Sequence, residues 1–236
     1  MKTAIAIALT AGAGAASAQV FDIPVARDYM SSGFFGSDFL RGEEAPSGRA
    51  TNRVTSPEIF GVTGETTYFE FDFDPTVFSG PVTEAFFQVE TVATGFFPDV
   101  SAVNPAEISL HSLTADPLAA VDQSLGSGTG SWLDFRDSQV TTSSIVSTTT
   151  VDGFGIFSWD ITSLVNEWIA NGDTNFSYTI ATSALLDPEG GAAVAFVNSS
   201  FSGIGDAFTA RITVVPAPGL GLLGGVGLLC VGRRRR

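Results

Sequence analysis

The chain has 236 residues and a formal net charge of −14, with 44% hydrophobic and 15% charged residues. This apolar fraction excludes a disordered protein, and the length suits a single domain. The excess of acid excludes proteins that bind nucleic acid or anionic membrane surfaces by charge, because both repel a negative protein. Twenty phenylalanines, 26 glycines and 11 prolines are typical of strands separated by turns.

The N-terminus has the layout of a secretory signal peptide. A short positive region comes first, residues 4–13 are apolar, and an A-x-A motif at Ala16 and Ala18 precedes Gln19. We therefore predict export and cleavage after residues 1–18. Without this segment and the arginines at the other end, six arginines face 25 acids, a net charge of −19.

Strand patterns dominate the main body of the chain. The clearest lies at residues 67–74, where phenylalanines and acids alternate with period two, before Pro75. Further strands are predicted at residues 21–25, 82–91, 107–113, 153–161, 176–181, 192–197 and 207–215. Residues 33–48, rich in Gly, Ser and acid, are predicted to loop. Many short strands predict an all-β fold, a jelly-roll-type antiparallel β-sandwich over residues 19–215.

One short α-helix is predicted at residues 160–172. Thr162 or Ser163 can cap its start, and Gly172 suits its C-terminal end. Its apolar side chains share one helical face: Leu164, Val165, Trp168 and Ile169. A second helix at residues 117–125, with Asp116 as N-cap, stays an open alternative.

Few residues could carry chemistry. His111 is the only histidine, and Cys230 lies in the C-terminal tail, so neither a transition-metal site nor a Ser-His-Asp triad is predicted. The acidic row of Glu70, Asp72 and Asp74 could bind Ca²⁺. However, neighbouring members lie about 7 Å apart along a strand, which favours a solvated sheet face. We predict no catalytic residue, no metal site and no cofactor, and leave Ca²⁺ open.

Tryptophans are the candidates for sugar stacking. Trp132 follows a Gly/Ser-rich segment and is the candidate sugar platform, with core packing as the favoured alternative. Trp159 and Trp168 are predicted to lie in the core.

The C-terminus combines three features in order. Pro216, Ala217 and Pro218 form a Pro-x-Pro break, and residues 220–231 are apolar. The positive end consists of Arg233, Arg234, Arg235 and Arg236. This tail, residues 216–236, resembles the PEP-CTERM sorting signal, with alanine in place of the commonest glutamate.

The resemblance implies an apolar sorting helix that anchors the chain briefly in the inner membrane, and an exosortase-type protease as partner. The alternative is an ordinary transmembrane anchor, but the apolar run is well short of the roughly 20 residues that span a bilayer. It also contains four glycines, which suit a helix poorly.

The main body resembles the DNRLRE-domain family. The likeness covers about residues 66–215 and is most specific at residues 157–168, where an aromatic-x-Asp strand end precedes a Leu-Val-x-x-Trp helix. This resemblance implies a jelly-roll β-sandwich of the kind found in cell-surface proteins and carbohydrate-binding modules.

These patterns predict an exported, non-catalytic bacterial protein of the cell surface or extracellular matrix, associated with exopolysaccharide. The alternative is a carbohydrate-binding module or a polysaccharide-acting enzyme on the same sandwich. Such an enzyme could use two carboxylates and no histidine. Because function resides in sites rather than in a fold, the sequence leaves these alternatives open.

Overall fold

The structure is a computed structural model that describes residues 20–34, 37–42, 51–55, 63–94, 98–120, 131–172, 178–185, 193–197, 208 and 210–217. The strands are β1 (Phe21–Phe34), β2 (Ser37–Gly42), β3 (Thr51–Thr55), β4 (Thr63–Phe71), β5 (Val82–Val92), β6 (Ala106–Ser112), β7 (Ile145–Val151), β8 (Gly155–Asp160), β9 (Thr179–Leu185), β10 (Ala193–Val197) and β11 (Arg211–Pro216). The helices are α1 (Pro117–Ala120), α2 (Ser131–Gln139) and α3 (Thr162–Asn171), and 3₁₀ turns lie at Pro75–Val77 and Thr142–Ser144.

All pairings between these strands are antiparallel, and together they form a sheet that nearly closes into a barrel. We call β1-β11-β5-β8 the front sheet and β4-β9-β6-β7 the back sheet, since these strands are neighbours in those orders. A register shift between Val25 and Arg27 lets β1 pair with β11 first and with β4 afterwards. On the other side, β10 and β3 connect β5 to β4.

Alternation along the strands builds the core between the two sheets. The three phenylalanines of the acidic-row strand are buried as predicted, and Phe69 packs on Phe87 with ring centroids 4.9 Å apart. Trp159 and Trp168 are fully buried in the same cluster, so their predicted core positions are confirmed. Buried rings of this size contribute strongly to stability because each removes a large apolar area from water.

Helix α3 is fixed to the front sheet by its side chains, which hydrogen-bond backbone groups of β5 as a neighbouring strand would. Asn166 Oδ1 accepts a hydrogen bond from Val82 N at 2.7 Å, and its Nδ2 donates to Val82 O at 3.1 Å. Thr162 Oγ1 accepts from Ala85 N at 3.0 Å. The helix ends at Gly172, whose φ of 70° is a conformation that glycine adopts most readily.

The expected all-β class is confirmed, and each predicted strand overlaps an observed one, although β1 continues to Phe34 and β4 ends at Phe71. Three predictions need correction. In the predicted loop at residues 33–48, residues 33–34 end β1 and residues 37–42 form β2, while the other residues lie outside the described part of the chain. Strands β3 and β7 were not predicted, and the described residues contain three helices: α3 is the predicted one, α1 begins at the start of the open alternative at residues 117–125, and α2 was not predicted.

Candidate functional site

The outer side of the front sheet carries the main polar and aromatic group of the described residues, and we call it the front face. Ile212 and Val214 of β11 point into the core, so Arg211 and Thr213 point outward. The register places Asp22 of β1 beside Thr213 and Gln88 of β5 beside Arg211, and Glu90 lies two residues beyond Gln88 on the same face of β5. Three neighbouring strands therefore supply one polar row.

Hydrogen bonds organise this row around Arg211. Its Nη1 donates to Asp22 Oδ2 at 3.4 Å, and Thr213 Oγ1 donates to Asp22 Oδ1 at 2.7 Å. The guanidinium carbon of Arg211 lies 3.9 Å from the ring centroid of Phe208, a close cation–π contact. Phe208 is held there because its backbone N donates to Glu90 Oε2 at 2.8 Å.

The front face keeps unused bonding capacity. Arg211 Nε is buried and has no hydrogen-bond partner among the described residues. Further along, on β8 and the turn before it, Ile156 and Phe154 are 54% and 57% exposed. Planar donors and acceptors beside exposed apolar side chains suit the binding of a polyhydroxylated ligand. Nothing in this row forms a nucleophile–base pair.

A second polar group surrounds His111 on the outer side of the back sheet. The imidazole is buried, with Nδ1 3.0 Å from Ser144 Oγ and Nε2 2.6 Å from Ser183 Oγ. Burial lowers the pKa of His111 to about 4, and the backbone of Thr141 acts in the opposite direction. The ring is therefore neutral at pH 7 and a weak base.

The Ser183–His111 contact has the spacing of a nucleophile and its base. The nitrogen on the far side of the ring contacts a serine, however, where a catalytic triad has a carboxylate that stabilises the imidazolium. The arrangement connects three distant parts of the chain, and its partners were missed because contacts 33 and 72 residues apart leave no local sequence signal.

Two members of the acidic row are already used by the fold, whereas Asp72 is exposed. Glu70 Oε2 pairs with Arg27 Nη2 at 2.6 Å. Asp74 Oδ1 accepts hydrogen bonds from Thr76 Oγ1 at 2.6 Å and from Thr76 N at 2.9 Å in the 3₁₀ turn, and both lower the pKa of Asp74. Within the described ranges, no group of three or more His, Cys, Asp or Glu side chains could hold a metal ion.

The other predicted site residues lie at the margins of the described structure. Trp132 belongs to α2, but its side chain lies outside the description. Pro216 ends β11 and Ala217 is exposed. The remaining signal and sorting residues lie outside the described residues: Ala16, Ala18, Gln19, Pro218, Arg233, Arg234, Arg235 and Arg236.

No protein-family model matches the chain, and no curated protein matches it either. In the part of the chain that the structure describes, no helix has the length and hydropathy needed to cross a membrane.

Proposed function

We propose that the chain is an exported, non-catalytic bacterial protein of the cell surface or extracellular matrix, sorted by its PEP-CTERM-like tail. The observation that carries this proposal is the order of signals in the sequence. A secretory signal precedes the folded body, and a Pro-x-Pro break, a short apolar run and four arginines follow it. An exosortase-type protease is the partner that this tail requires.

The end of the fold is compatible with removal of the tail. Strand β11 lies between β1 and β5, and its last residue, Pro216, is paired with Val82. Ala217 is exposed and belongs to no strand. Cleavage after Pro216 would therefore leave both ladders of β11 and the core around Ile212 intact.

We also propose that the domain is a jelly roll. The front order β1-β11-β5-β8 and the back order β4-β9-β6-β7 are those of two interlocked four-stranded antiparallel layers, the pattern of that fold. This supports the DNRLRE-like resemblance, in which such a domain is displayed at the cell surface.

Sorting is tested by fractionating cells that produce the full chain in a host with an exosortase and in the same host without it. We expect surface or medium localisation only where the protease is present. Replacing Arg233–Arg236 with serines provides a matched variant that leaves the folded body unchanged, and it should accumulate unprocessed. Equal release from both hosts would contradict the proposal.

The front face favours a second candidate function, a carbohydrate-binding module. Its test is pull-down of the exported protein with bacterial and algal polysaccharides, with and without Ca²⁺. If the face binds sugar, Gln88→Ala and Arg211→Gln should weaken binding at least tenfold, whereas Thr150→Ala, an exposed position on β7, should not. Release of reducing ends in the same mixtures would reveal an enzyme and contradict the non-catalytic proposal.

A further inference from the structure

The front face carries an aromatic side chain, that of Phe86, which the packing of the fold does not use. Phe86 lies on β5 and is half-buried on the outer side of the sheet, whereas its neighbours Ala85 and Phe87 are buried in the core. Its ring belongs to neither buried hydrophobic cluster and contacts no other aromatic ring among the described residues. The outer side of this ring is therefore available to stack on a ligand.

The strand register surrounds Phe86 with polar side chains. Its direct partners are Thr213 of β11 on one side and Asp160 of β8 on the other. Two residues further along β5, about 7 Å away, Gln88 lies on the same face and is paired with Ser158 of β8. The aromatic ring is therefore framed, across three neighbouring strands, by hydroxyl, amide and carboxylate groups.

Two uncharged polar groups beside the ring keep unused bonding capacity. One end of the Gln88 amide lies 3.3 Å from Thr213 Oγ1, and the other end has no hydrogen-bond partner among the described residues. Ser158 is exposed, and its hydroxyl makes no hydrogen bond within the described part of the chain. An amide and a hydroxyl beside an aromatic ring match the hydroxyl groups and the apolar face of a sugar unit.

The carboxylates around the ring already hydrogen-bond within the fold. Both carboxylate oxygens of Asp22 accept hydrogen bonds from side chains of β11. Asp160 Oδ1 accepts from Thr162 Oγ1 at 2.6 Å and from Thr162 N at 2.9 Å. Glu90 Oε2 accepts from the backbone N of Phe208. These carboxylates therefore organise the front face, and the vacant polar groups nearest to the aromatic ring are uncharged.

The charge of the front face determines which ligands it admits. With the exposed Glu84, these side chains give four carboxylates against the one guanidinium of Arg211, a net charge of −3. An acidic polysaccharide is repelled by such a face, and a second copy of the chain would bring two such faces together. An uncharged polymer is not repelled.

We propose that the front face binds an uncharged polysaccharide by stacking one sugar ring on Phe86, and that it excludes acidic polysaccharides. The amide of Gln88 and the hydroxyl of Ser158 hydrogen-bond the hydroxyl groups of that sugar unit and of its neighbour in the polymer. This inference rests on the carbohydrate-binding candidate function and specifies its ligand class. It does not depend on the tail or on its processing.

Affinities of the exported protein for immobilised polymers test the ligand class. We expect binding to at least one of unmodified glucan, mannan and galactan. For the polymer that binds, the hydroxyethylated and carboxymethylated forms carry substituents of similar size and differ in charge, and the carboxymethylated form should bind at least tenfold more weakly at low ionic strength. Equal affinities for the two forms would overturn the selection by charge and leave sugar binding intact. Binding to none of the three unmodified polymers would overturn both the ligand class and the carbohydrate-binding function.

Substitutions at Phe86 test the site itself. Phe86→Leu keeps an apolar side chain and should weaken binding at least tenfold, whereas Phe86→Trp keeps a planar ring and should bind within threefold of wild type. Ser158→Ala, at an exposed position, should weaken binding at least threefold, even where Phe86→Leu fails to fold. Ile145→Ala shortens an exposed apolar side chain on β7 and is the matched control, with unchanged binding expected.

Wild-type affinity in a folded Phe86→Leu, or in Ser158→Ala, would overturn the proposed site. Light scattering examines the other occupant of the face, a second copy of the chain. A dimer that Phe86→Leu dissociates, in a protein that binds none of the polymers, would show that this second copy covers the ring, and it would overturn the proposal.

Discussion

The two core tryptophans allow a paired test of the packing described above, because only one of them uses its indole N–H. Trp159 Nε1 donates to Ile108 O at 2.9 Å, whereas Trp168 Nε1 is buried without a hydrogen-bond partner among the described residues. Replacing each tryptophan with phenylalanine removes a similar volume from a fully buried position. The two substitutions should therefore share the cavity cost and differ in their effect on hydrogen bonding.

The expected difference follows from the fate of the buried polar atoms. Trp159→Phe removes the indole hydrogen bond to the Ile108 carbonyl, in a strand that is paired on both sides, and the net loss of one such bond costs about 0.5–1.5 kcal/mol. Trp168→Phe removes a donor that is already unsatisfied and so relieves a penalty of similar type. We expect Trp159→Phe to lower the free energy of unfolding by about 2 kcal/mol more than Trp168→Phe does.

Urea unfolding followed by far-ultraviolet circular dichroism measures both free energies, with equal m-values as the condition for comparing them. Equal losses of stability in the two variants would refute the reasoning. They would mean that the Trp168 N–H is hydrogen-bonded in solution, or that packing alone determines both effects.

Three further predictions concern stability. Trp168→Ala should lower the free energy of unfolding by about 3–5 kcal/mol in urea titrations, and a wild-type midpoint would show that α3 is peripheral. Asn166→Leu should cost about 2 kcal/mol because Val82 loses two hydrogen bonds, and an unchanged melting temperature would contradict this. The pKa of His111 is about 4 in the folded chain and 6.5 in the unfolded chain, so the unfolded chain takes up the proton first as the pH falls. The free energy of unfolding should therefore decline by about 3 kcal/mol between pH 6.5 and pH 4. In His111→Gln, a plot of this free energy against pH should lack that decline.

Parts of the fold with strong local patterning could be predicted from the sequence. The phenylalanine–acid alternation of β4 and the apolar face of α3 each report burial directly, because the side-chain period equals that of the element. The predicted burial of this helical face is confirmed, since Leu164, Val165 and Trp168 all lie in the core.

Elements stabilised mainly by distant contacts could not be predicted. Strand β7 is rich in Thr and Ser and has few buried side chains, since it lies at the end of the back sheet and, among the described strands, pairs only with β6. The polar end of β1 is a strand because it pairs with β2 on one side and with β4 on the other. Strand β2 is a strand because it pairs with β1. Helix α2 has only a weak apolar face, so tertiary contacts rather than periodicity determine it.

The candidate sites also divide into residues that could be predicted from the sequence and residues that could not. The proposed sorting residues could be predicted from the sequence alone, because the resemblance that indicates them lies in their order along the chain. On the front face, Asp22 near the start of the folded body contacts Arg211 and Thr213 near its end. No rule about residue spacing in the sequence predicts that contact. The two serines beside His111 are equally distant in sequence. Sites built by strand pairing become visible only with the register.

We propose that the protein is exported and loses its C-terminal tail. The intact mass of the protein, recovered from the cell surface or medium of a host that contains an exosortase, tests both steps at once. We expect a chain that begins at Gln19 and ends near Pro216. Exported protein that still carries residues Arg233–Arg236 would contradict it.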